Sequence, residues 1–487
     1  MGCCATTTVQ RVTMISAVAV IILGVLMAVG WDNLLFKIVY KQLVVNKNTT
    51  TGFEMWKETP IPMYLEFNMF NWTNAEEYKK NPSIKPAFTE MGPYVFYEHH
   101  IRENITFNDN DTLTYLNKRI WRFEPDKSNG SLGDIITMLN PIPVVVASVV
   151  KDEHYIVKKA VNFILQEKDE DLYIKKEIGK ILFEGYNDTL INIALKLNIS
   201  GFTFPFKTFG WFAERNNSAT YDGVYNMYSG GKDISKLGVI TRWNYEHLTS
   251  YYPDGCNIVN GSSGELWYPP LNAEQISIFS PDLCSNVNLH LNGTETLYGI
   301  VGSLYKGEAD VFDNGTYFES GKCYATELPT GVRSVSKCKF NAPAFMSFPH
   351  FYLSDPSFKE AVDGMNPDPD KHTTRLSLEP STGLPLRVHA SFQLNLLMRQ
   401  MDGIDIYSKI NTTLMPCFWF AQKAELTEDL SSMVKLIIVA EKVGNYTAYG
   451  LTLIGILLLI IYTYITYKRG WRTDVFWRAT GKKVSPM

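Results

Sequence analysis

The 487-residue chain lacks the short motifs by which most enzymes are recognised. It contains no Gly-x-Ser-x-Gly elbow, His-Glu-x-x-His pair, Walker A loop or Gly-x-Gly-x-x-Gly turn. The usual signatures of serine hydrolases, zinc peptidases, P-loop NTPases and dinucleotide enzymes are therefore missing. Histidine is scarce, with 8 residues. The adjacent pair His99-His100 would point to opposite faces of a strand and could not converge on one metal ion. His154, beside Asp152 and Glu153, reads as a helix-surface histidine, with a pH-responsive contact as the alternative. Cys-x-x-Cys is absent, which argues against a zinc ribbon or a thioredoxin-type site. A formal net charge of -4 lacks the basic footprint of a nucleic-acid binder. The expectation is no enzyme, no cofactor, no metal and no nucleic-acid partner.

Sequons are missing from both ends, and that absence orients the chain. Asn-x-Ser/Thr occurs at Asn48, Asn71, Asn104, Asn110, Asn129, Asn187, Asn198, Asn216, Asn260, Asn292, Asn314, Asn411 and Asn445, Asn445 being least suited because it lies closest to the membrane. Two apolar spans flank this set, Val12 to Gly30 and Tyr446 to Tyr467. Each is about long enough to cross a hydrocarbon core of roughly 30 Å. Because sequons are used only on the lumenal or extracellular side, residues 1–11 and 468–487 are expected to be cytoplasmic, and 31–445 an ectodomain. Lys468, Arg469, Arg472, Arg478, Lys482 and Lys483 against Asp474 agree with the positive-inside rule. A cleaved signal peptide is the alternative for the first span. Its apolar run exceeds the usual h-region, and no Ala-x-Ala site follows before Trp31, so an uncleaved anchor is preferred. A mean hydropathy of -0.10 is too low for a multi-span transporter.

Within the ectodomain, Phe53 to Phe123 reads as strands and turns. The character changes at Pro141. Apolar residues Tyr155, Ile156, Ala160, Val161, Phe163 and Ile164 recur at helical spacing, as do Ile174, Ile178, Ile181 and Leu182, and a third helix is expected over Thr189 to Leu197. Strands and turns return from Gly201 to Thr413. The whole reads as one α+β ectodomain with a helical insert at 141–197. Five of the 7 cysteines, Cys256, Cys284, Cys323, Cys338 and Cys417, face the oxidising side. They allow at most two internal bridges, and spacing does not choose the pairs. Cys3 and Cys4 beside a cytoplasmic span suit palmitoylation; Gly2 with Thr6 fits the looser myristoylation pattern.

An ordered set of strings then resembles the class B scavenger receptor family, which includes fatty-acid translocase, croquemort, the lysosomal integral membrane protein and the sensory neuron membrane proteins. "DGVYNMYSGGKDISKL" begins at Asp222, with "GPYVFYE" at Gly92, "FEP" at Phe123, "EGY" at Glu184, "SPDLC" at Ser280, "FPHFYLSDP" at Phe348, "DGMNPDPDKH" at Asp363 and "LEPSTGLPL" at Leu378. The resemblance covers nearly the whole chain.

It implies an irregular antiparallel β-barrel capped by an apical helical bundle, with an apolar tunnel carrying fatty acids, sterols, carotenoids or phospholipids. The cap would contact lipoproteins or apoptotic and microbial particles. The resemblance also implies Cys256–Cys323 and Cys284–Cys338 bridges, Cys417 as an unpaired buried thiol, and Lys168 as an apical ligand contact. Glu167, Asp169, Glu170 and Asp171 surround that lysine and oppose attraction of anionic particles. The function implied is a plasma-membrane receptor with an endosomal or lysosomal pool, self-association remaining open. Lysosomal cargo delivery and pheromone sensing are alternatives within the family. Outside it stand a two-span ligand-gated channel, disfavoured by the apolar kernel Leu453 to Ile461, and an ectoenzyme.

Overall fold

A computed structural model describes residues 2–47, 50–197, 207–269 and 271–468. Its helices are α1 (Gly2–Leu43), α2 (Thr50–Lys57), α3 (Ala75–Lys80), α4 (Pro141–Val149), α5 (Tyr155–Glu167), α6 (Thr189–Leu197), α7 (Pro356–Glu360), α8 (Pro369–His372) and α9 (Glu428–Lys468). Its strands are β1 (Met63–Trp72), β2 (Phe88–Phe107), β3 (Thr112–Phe123), β4 (Ile135–Leu139), β5 (Tyr173–Glu177), β6 (Val224–Tyr228), β7 (Ile240–Trp243), β8 (Gln275–Ser280), β9 (Ser285–Leu297), β10 (Ile300–Lys306), β11 (Arg333–Ser334), β12 (Ala344–Ser347), β13 (Arg375–Leu378), β14 (Pro385–Met398) and β15 (Thr413–Glu425). The chain divides into two compact units, residues 1–42 with 429–487 and residues 43–428.

The first unit is a pair of long helices. α1 and α9 have 42 and 41 residues, about 60 Å each, so both continue well past the apolar runs that nucleate them. Apolar side chains cover their outer faces, Leu26 and Leu453 among them, as a lipid solvent requires. Small residues make the crossing: Ala17 and Ala448 are fully buried, and a Cβ on Gly455 would lie 2.9 Å from the Ile21 backbone nitrogen. This is the close approach that drives helix pairing where no hydrophobic effect operates. The Trp31 indole donates to the Ala440 carbonyl at 3.1 Å.

In the second unit the strands run β7-β6-β3-β2-β1-β15-β14-β13-β10-β9-β8 in one antiparallel sheet, with β12 on β14 and β11 on β12. β7 and β8, the two edges, do not pair directly. The strap Gly261 to Ser263 laces them: Ile240 N–H donates to Gly261 O at 2.8 Å, Ser262 N–H to Ser277 O at 2.8 Å and Ser263 N–H to Gly238 O at 2.9 Å. That strap nearly closes a barrel and satisfies edge groups that would otherwise invite foreign strands. β1 and β15, central in the order, carry the aromatic core of Phe67, Phe70, Trp72, Phe418 and Phe420.

The helical insert differs in one element from the sequence reading. Residues 173–177 form β5, paired with β4 from Ile135↔Glu177 to Leu139↔Tyr173, where a helix was expected. The helical spacing was real only for Ile178, Ile181 and Leu182, all fully buried, the last two in the turn at Lys180–Glu184 and Ile178 just before it. The free edge of β4 outcompeted local helix propensity in the preceding residues. α4, not singled out within the insert, starts at Asn140-Pro141, a position proline favours. α6 has the expected bounds.

Two disulfides staple the second unit. Cys256 joins Cys323 with Cα atoms 5.9 Å apart, and Cys284 joins Cys338 at 6.5 Å, spanning 67 and 54 residues. Loops of this length correspond to about 4 kcal/mol each in the chain-entropy model. Cys417 on β15 is free and buried, and burial pushes its thiol up to about 12, so it is a poor nucleophile. Non-reducing peptide mapping is expected to recover both bridges and an unalkylated Cys417 that reacts only after denaturation. A Cys417-containing disulfide would overturn this pairing.

Candidate functional site

Two neighbouring cavities among the described residues bear on function. The larger, about 330 Å³, is lined chiefly by Ile142, Trp211, Phe212, Met346, Leu394 and Phe418. The smaller, about 200 Å³, is lined by residues such as Val287, Leu289, Leu376 and Val388 together with His100, Arg102, Arg119 and Tyr225. They have two wall residues in common, Asp282 and Phe420. Phe420 stands among Phe67, Phe212 and Phe392, with ring centroids 6.2–6.3 Å away.

Beside that shared wall lies a chain of alternating charge. Arg215 donates from Nε to Asp222 Oδ1 at 2.8 Å and from Nη1 to Asp282 Oδ1 at 2.8 Å. Arg119 Nε lies 3.6 Å from Asp222 and 3.6 Å from Glu98. Glu98 accepts from the Trp121 indole at 2.9 Å and from Gln422 at 3.2 Å. Beyond it, His100 Nδ1 lies 3.5 Å from Glu265, which also pairs with Arg102. Burial would raise the Asp282 carboxyl, but Arg215, with Lys339 and Arg119, brings it down to about 2. Burial holds Glu98 above the usual carboxylate range, with Arg119 opposing. Burial, then the Arg102 charge, depresses His100 well below the ordinary imidazole value. Arg119 and Arg215 thus face the aspartates Asp222 and Asp282, so that buried charges of opposite sign are paired.

The strand geometry separates the two adjacent histidines as the alternation rule demands. His100 is buried in the wall of the smaller cavity, whereas His99 is outside, 2.8 Å from Glu58. Arg119, Arg215, Asp222, Tyr225 and Asp282 were missed as a group. Two signals were present, since Asp222 and Tyr225 open the "DGVYNMYSGG" string and Asp282 sits in "SPDLC". Gly223 between them has φ +82°, and a Cβ there would meet Trp243 Nε1 at 2.8 Å, so that turn requires glycine.

The helical insert makes the second candidate surface. α4 is buried through Ile142, Val144 and Val145. α5 is not: Ile156 is 81% and Phe163 65% exposed. Only Asn162 and Leu165 are buried on it. A polar latch holds it, since Asp405 accepts from Asn162 at 3.0 Å and from Gln166 at 2.7 Å, and donates its own N–H to Asn162 Oδ1 at 2.7 Å. Lys168 caps α5 and donates to Glu167 at 3.0 Å. Its other acidic neighbours are partly engaged, Asp171 by Lys79 at 2.7 Å and Glu170 by Asn140 at 3.1 Å. His154 precedes α5 on the surface.

Among the sequons, Asn104, Asn110, Asn129, Asn187, Asn260, Asn292 and Asn411 are exposed. Asn71, Asn216 and Asn314 are half-buried with amides bonded to Thr137, Trp121 and Leu328, and Asn445 donates to Asp32 at 3.0 Å. Asn48, Asn198 and the Cys3 and Cys4 side chains lie outside the described residues. No cluster of three His, Cys, Asp or Glu side chains suited to a metal occurs among the described residues.

A model of the CD36 family matches residues 14–466, both long helices and the barrel included. The chain belongs to the CD36 family. Scavenger receptor class B member 1 of Sus scrofa is 32% identical over 464 residues, covering 94% of this chain and 90% of that protein. Protein peste of Drosophila melanogaster is 30% identical, with 89% and 78% covered. Lysosome membrane protein 2 of Homo sapiens is 28% identical, with 87% and 88% covered. The CD36-family strings quoted above thus fall on the buried charges as well as on the barrel frame.

One titration in the cap is testable. Burial, reinforced by Asp188, raises Glu170 to about 7, against Asn140 and Lys176. Its ordinary value is 4.5. The folded state then binds the proton more tightly, so the stability it contributes is complete below pH 4.5 and is lost as pH rises towards about 7. Glu170→Gln is expected to raise thermal stability at pH 8 relative to the parent and to leave it little changed at pH 4.5. Parallel melting curves across that window would refute the assignment.

Proposed function

We propose that the chain is a cell-surface scavenger receptor, with an endosomal or lysosomal pool. It would bind lipid and lipid-bearing particles and pass lipid through the barrel to the membrane. It acts as a receptor and not as an enzyme. The observation that carries this reading is the pair of neighbouring cavities sharing the Asp282–Phe420 wall. Its support from likeness is the match to a relative named scavenger receptor class B member 1. An internal apolar path spares a lipid the exposure of its chain to water, worth about 0.8 kcal/mol per methylene. Fatty acids, sterols, carotenoids and phospholipids are the candidate cargo, and lipoproteins or apoptotic and microbial particles the candidate carriers. No cofactor takes part.

The apical helix α5 is the proposed particle contact. Its outward apolar face, Ile156 and Phe163, offers area without needing to unfold. Lys168 is the proposed anion contact, attenuated by its bond to Glu167. Two variants separate the roles in cells displaying the chain. Ala344→Phe, from a buried residue lining the larger cavity, is expected to reduce lipid uptake severalfold while anionic liposomes still bind. Glu167→Gln is expected to raise liposome binding about two- to threefold without changing transfer, an effect that 0.5 M salt removes. Unaltered uptake in Ala344→Phe at normal surface level would sink the conduit.

The membrane hairpin is proposed with residues 12–30 and 446–467 as its spanning segments, 31–445 outside, the cap at 141–197, and 1–11 and 468–487 in the cytoplasm, with Cys3 and Cys4 palmitoylated. The sequon distribution supports it, as do two helices with mean hydropathy 2.7 and 2.1 in their most apolar windows. Terminal tags are expected to stain only after permeabilisation, and glycosidase to lower the apparent mass by many kilodaltons. Staining of an N-terminal tag on intact cells would reject the hairpin.

A further inference from the structure

The outer side of the barrel carries histidines that neither cavity uses. β14 turns Ala390, Phe392 and Leu394 towards the cavities, so strand alternation puts Ser391 and Gln393 on the other side. The segment from Phe348 to His372, between β12 and β13, is tied to that outer side. Gln393 Oε1 accepts the His350 N–H at 2.6 Å, and the Ser391 hydroxyl donates to the His372 carbonyl at 3.0 Å. Three residues of the segment, His350, Phe351 and Leu353, have φ of +54°, +55° and +55°. Residues with a Cβ avoid this left-handed region, and a run of them persists only where the surroundings enforce it.

Two imidazoles supply that enforcement. His350 and His372 stack with ring centroids 4.5 Å apart and 20° between their planes. In each ring Nδ1 is an acceptor, from the Asn366 N–H at 3.0 Å in His350 and from the Asp368 N–H at 2.8 Å in His372. An accepting Nδ1 carries no proton, so the ring hydrogen sits on Nε2, and that of His350 donates to Glu90 at 2.6 Å. Acid must then place its proton on Nδ1, where a backbone N–H already points, and the bond becomes two donors face to face. Phe70, Gln393 and Trp419 complete the surroundings without charge. Burial, then His350, with a smaller push from Lys371, lowers His372 from its ordinary 6.5 to about 4, against Glu90 and Asp368. The folded segment thus binds this proton less tightly than the unfolded chain, and stability falls as pH drops from 6.5 towards about 4. His389, beside Lys423 and Arg375, is likewise lowered, chiefly by burial. It donates from Nε2 to the Lys371 carbonyl at 2.9 Å, a bond that a proton on its other nitrogen leaves intact.

We propose that the stacked pair His350–His372 is an acid-released clasp, which holds the segment 348–372 to the outside of the barrel at neutral pH and loosens it in an acidic compartment. The backbone bonds of Asp363 with Pro86 and Phe88, at 2.9 and 3.0 Å, contain no titrating group. They keep the segment on the barrel while its two histidine ends let go. Release would uncover Phe351 and Phe358, now buried and stacked at 5.5 Å, while the strands beneath stay paired. The chain would then present a different outer surface in an acidic compartment from the one it presents at the cell surface, whatever the barrel holds. This inference does not depend on the conduit reading.

Hydrogen exchange, read peptide by peptide in the mass spectrometer, tests this on the purified full-length chain in detergent. Rates are compared at about pH 7.4 and about pH 5, with the intrinsic chemical rate at each pH divided out. Peptides within 348–372 are expected to exchange about tenfold faster or more at the lower pH, reversibly, while peptides of β14 and β15 keep their protection. Asparagine at either position offers an acceptor oxygen near the place of Nδ1 and takes no proton. His372→Asn is therefore expected to bring the ratio of the two rates close to one, and His350→Asn to lower it. Each ratio is internal to one variant, so a general loss of stability does not imitate the effect. An unaccelerated segment in the parent would overturn the clasp without recourse to any variant. Acceleration spread evenly over the barrel strands would make the event global unfolding and overturn it too. So would an unchanged ratio in His372→Asn, which would move the acid response to His389.

Discussion

Arg215 is the interaction on which the barrel interior depends. Its guanidinium binds Asp222 and Asp282 at once, and its loop is tied to β3 through Asn216 and Asn217, which meet the backbone of Trp121 and Arg119. That loop also carries Phe209, Trp211 and Phe212, which form one wall of the larger cavity. Taking out one partner of such a buried pair costs about 3–5 kcal/mol, because the other charge is left without compensation. A domain stable by about 5–15 kcal/mol could not absorb several such losses. The same residues that cost energy to bury therefore fix the wall that shapes the cavity.

The cap follows a different economy. α4 is docked by apolar burial, and α5 by a narrow apolar edge, Leu165 with Val161 and Ile164, joined to polar bonds from Asp405. The polar bonds take over part of the docking. Ile156 and Phe163 stay outside. Periodicity therefore identified α5 without saying which of its apolar residues pack inward. Hydrophobic spacing announces a helix, yet it says only by convention that the apolar stripe faces the core. Here an exposed apolar face and a packing face share one periodic signal.

Much of the frame was legible in the sequence because it rests on local rules. The two long apolar helices, the exposed sequons and the bounds of α6 follow from composition and spacing. The disulfide pairs and the barrel came through resemblance, since five thiols admit several pairings and a closed sheet has no local signature. What could not be read is non-local. β5 formed because β4 offered an edge, and neither segment alone encodes that. The charge chain draws on β2, β3, the loop at Arg215 and the turn between β8 and β9, residues separated by up to 184 positions from Glu98 to Asp282. Single charges in strands look like solvent-facing positions until the barrel closes around them.

The closure strap at Gly261–Ser263 and the charge chain together address why cavities of this size persist. The cavity of 330 Å³ has a largely apolar wall, with Glu214, Arg215, Asp282 and Lys339 on its polar side, and leaving the apolar part unfilled forfeits packing at about 24 cal/mol per Å³. Collapse would recover that energy, but collapse needs walls that can move. β1, β14 and β15 are locked in long antiparallel register, the edges are laced by the strap, and the Arg215 loop is anchored by ions that cannot enter an apolar void. The remaining way to regain the lost contacts is for apolar matter to enter. The rigidity of the frame and the proposed uptake of lipid would then have one source, since a barrel able to relax around its own interior would have little reason to take up a hydrocarbon chain.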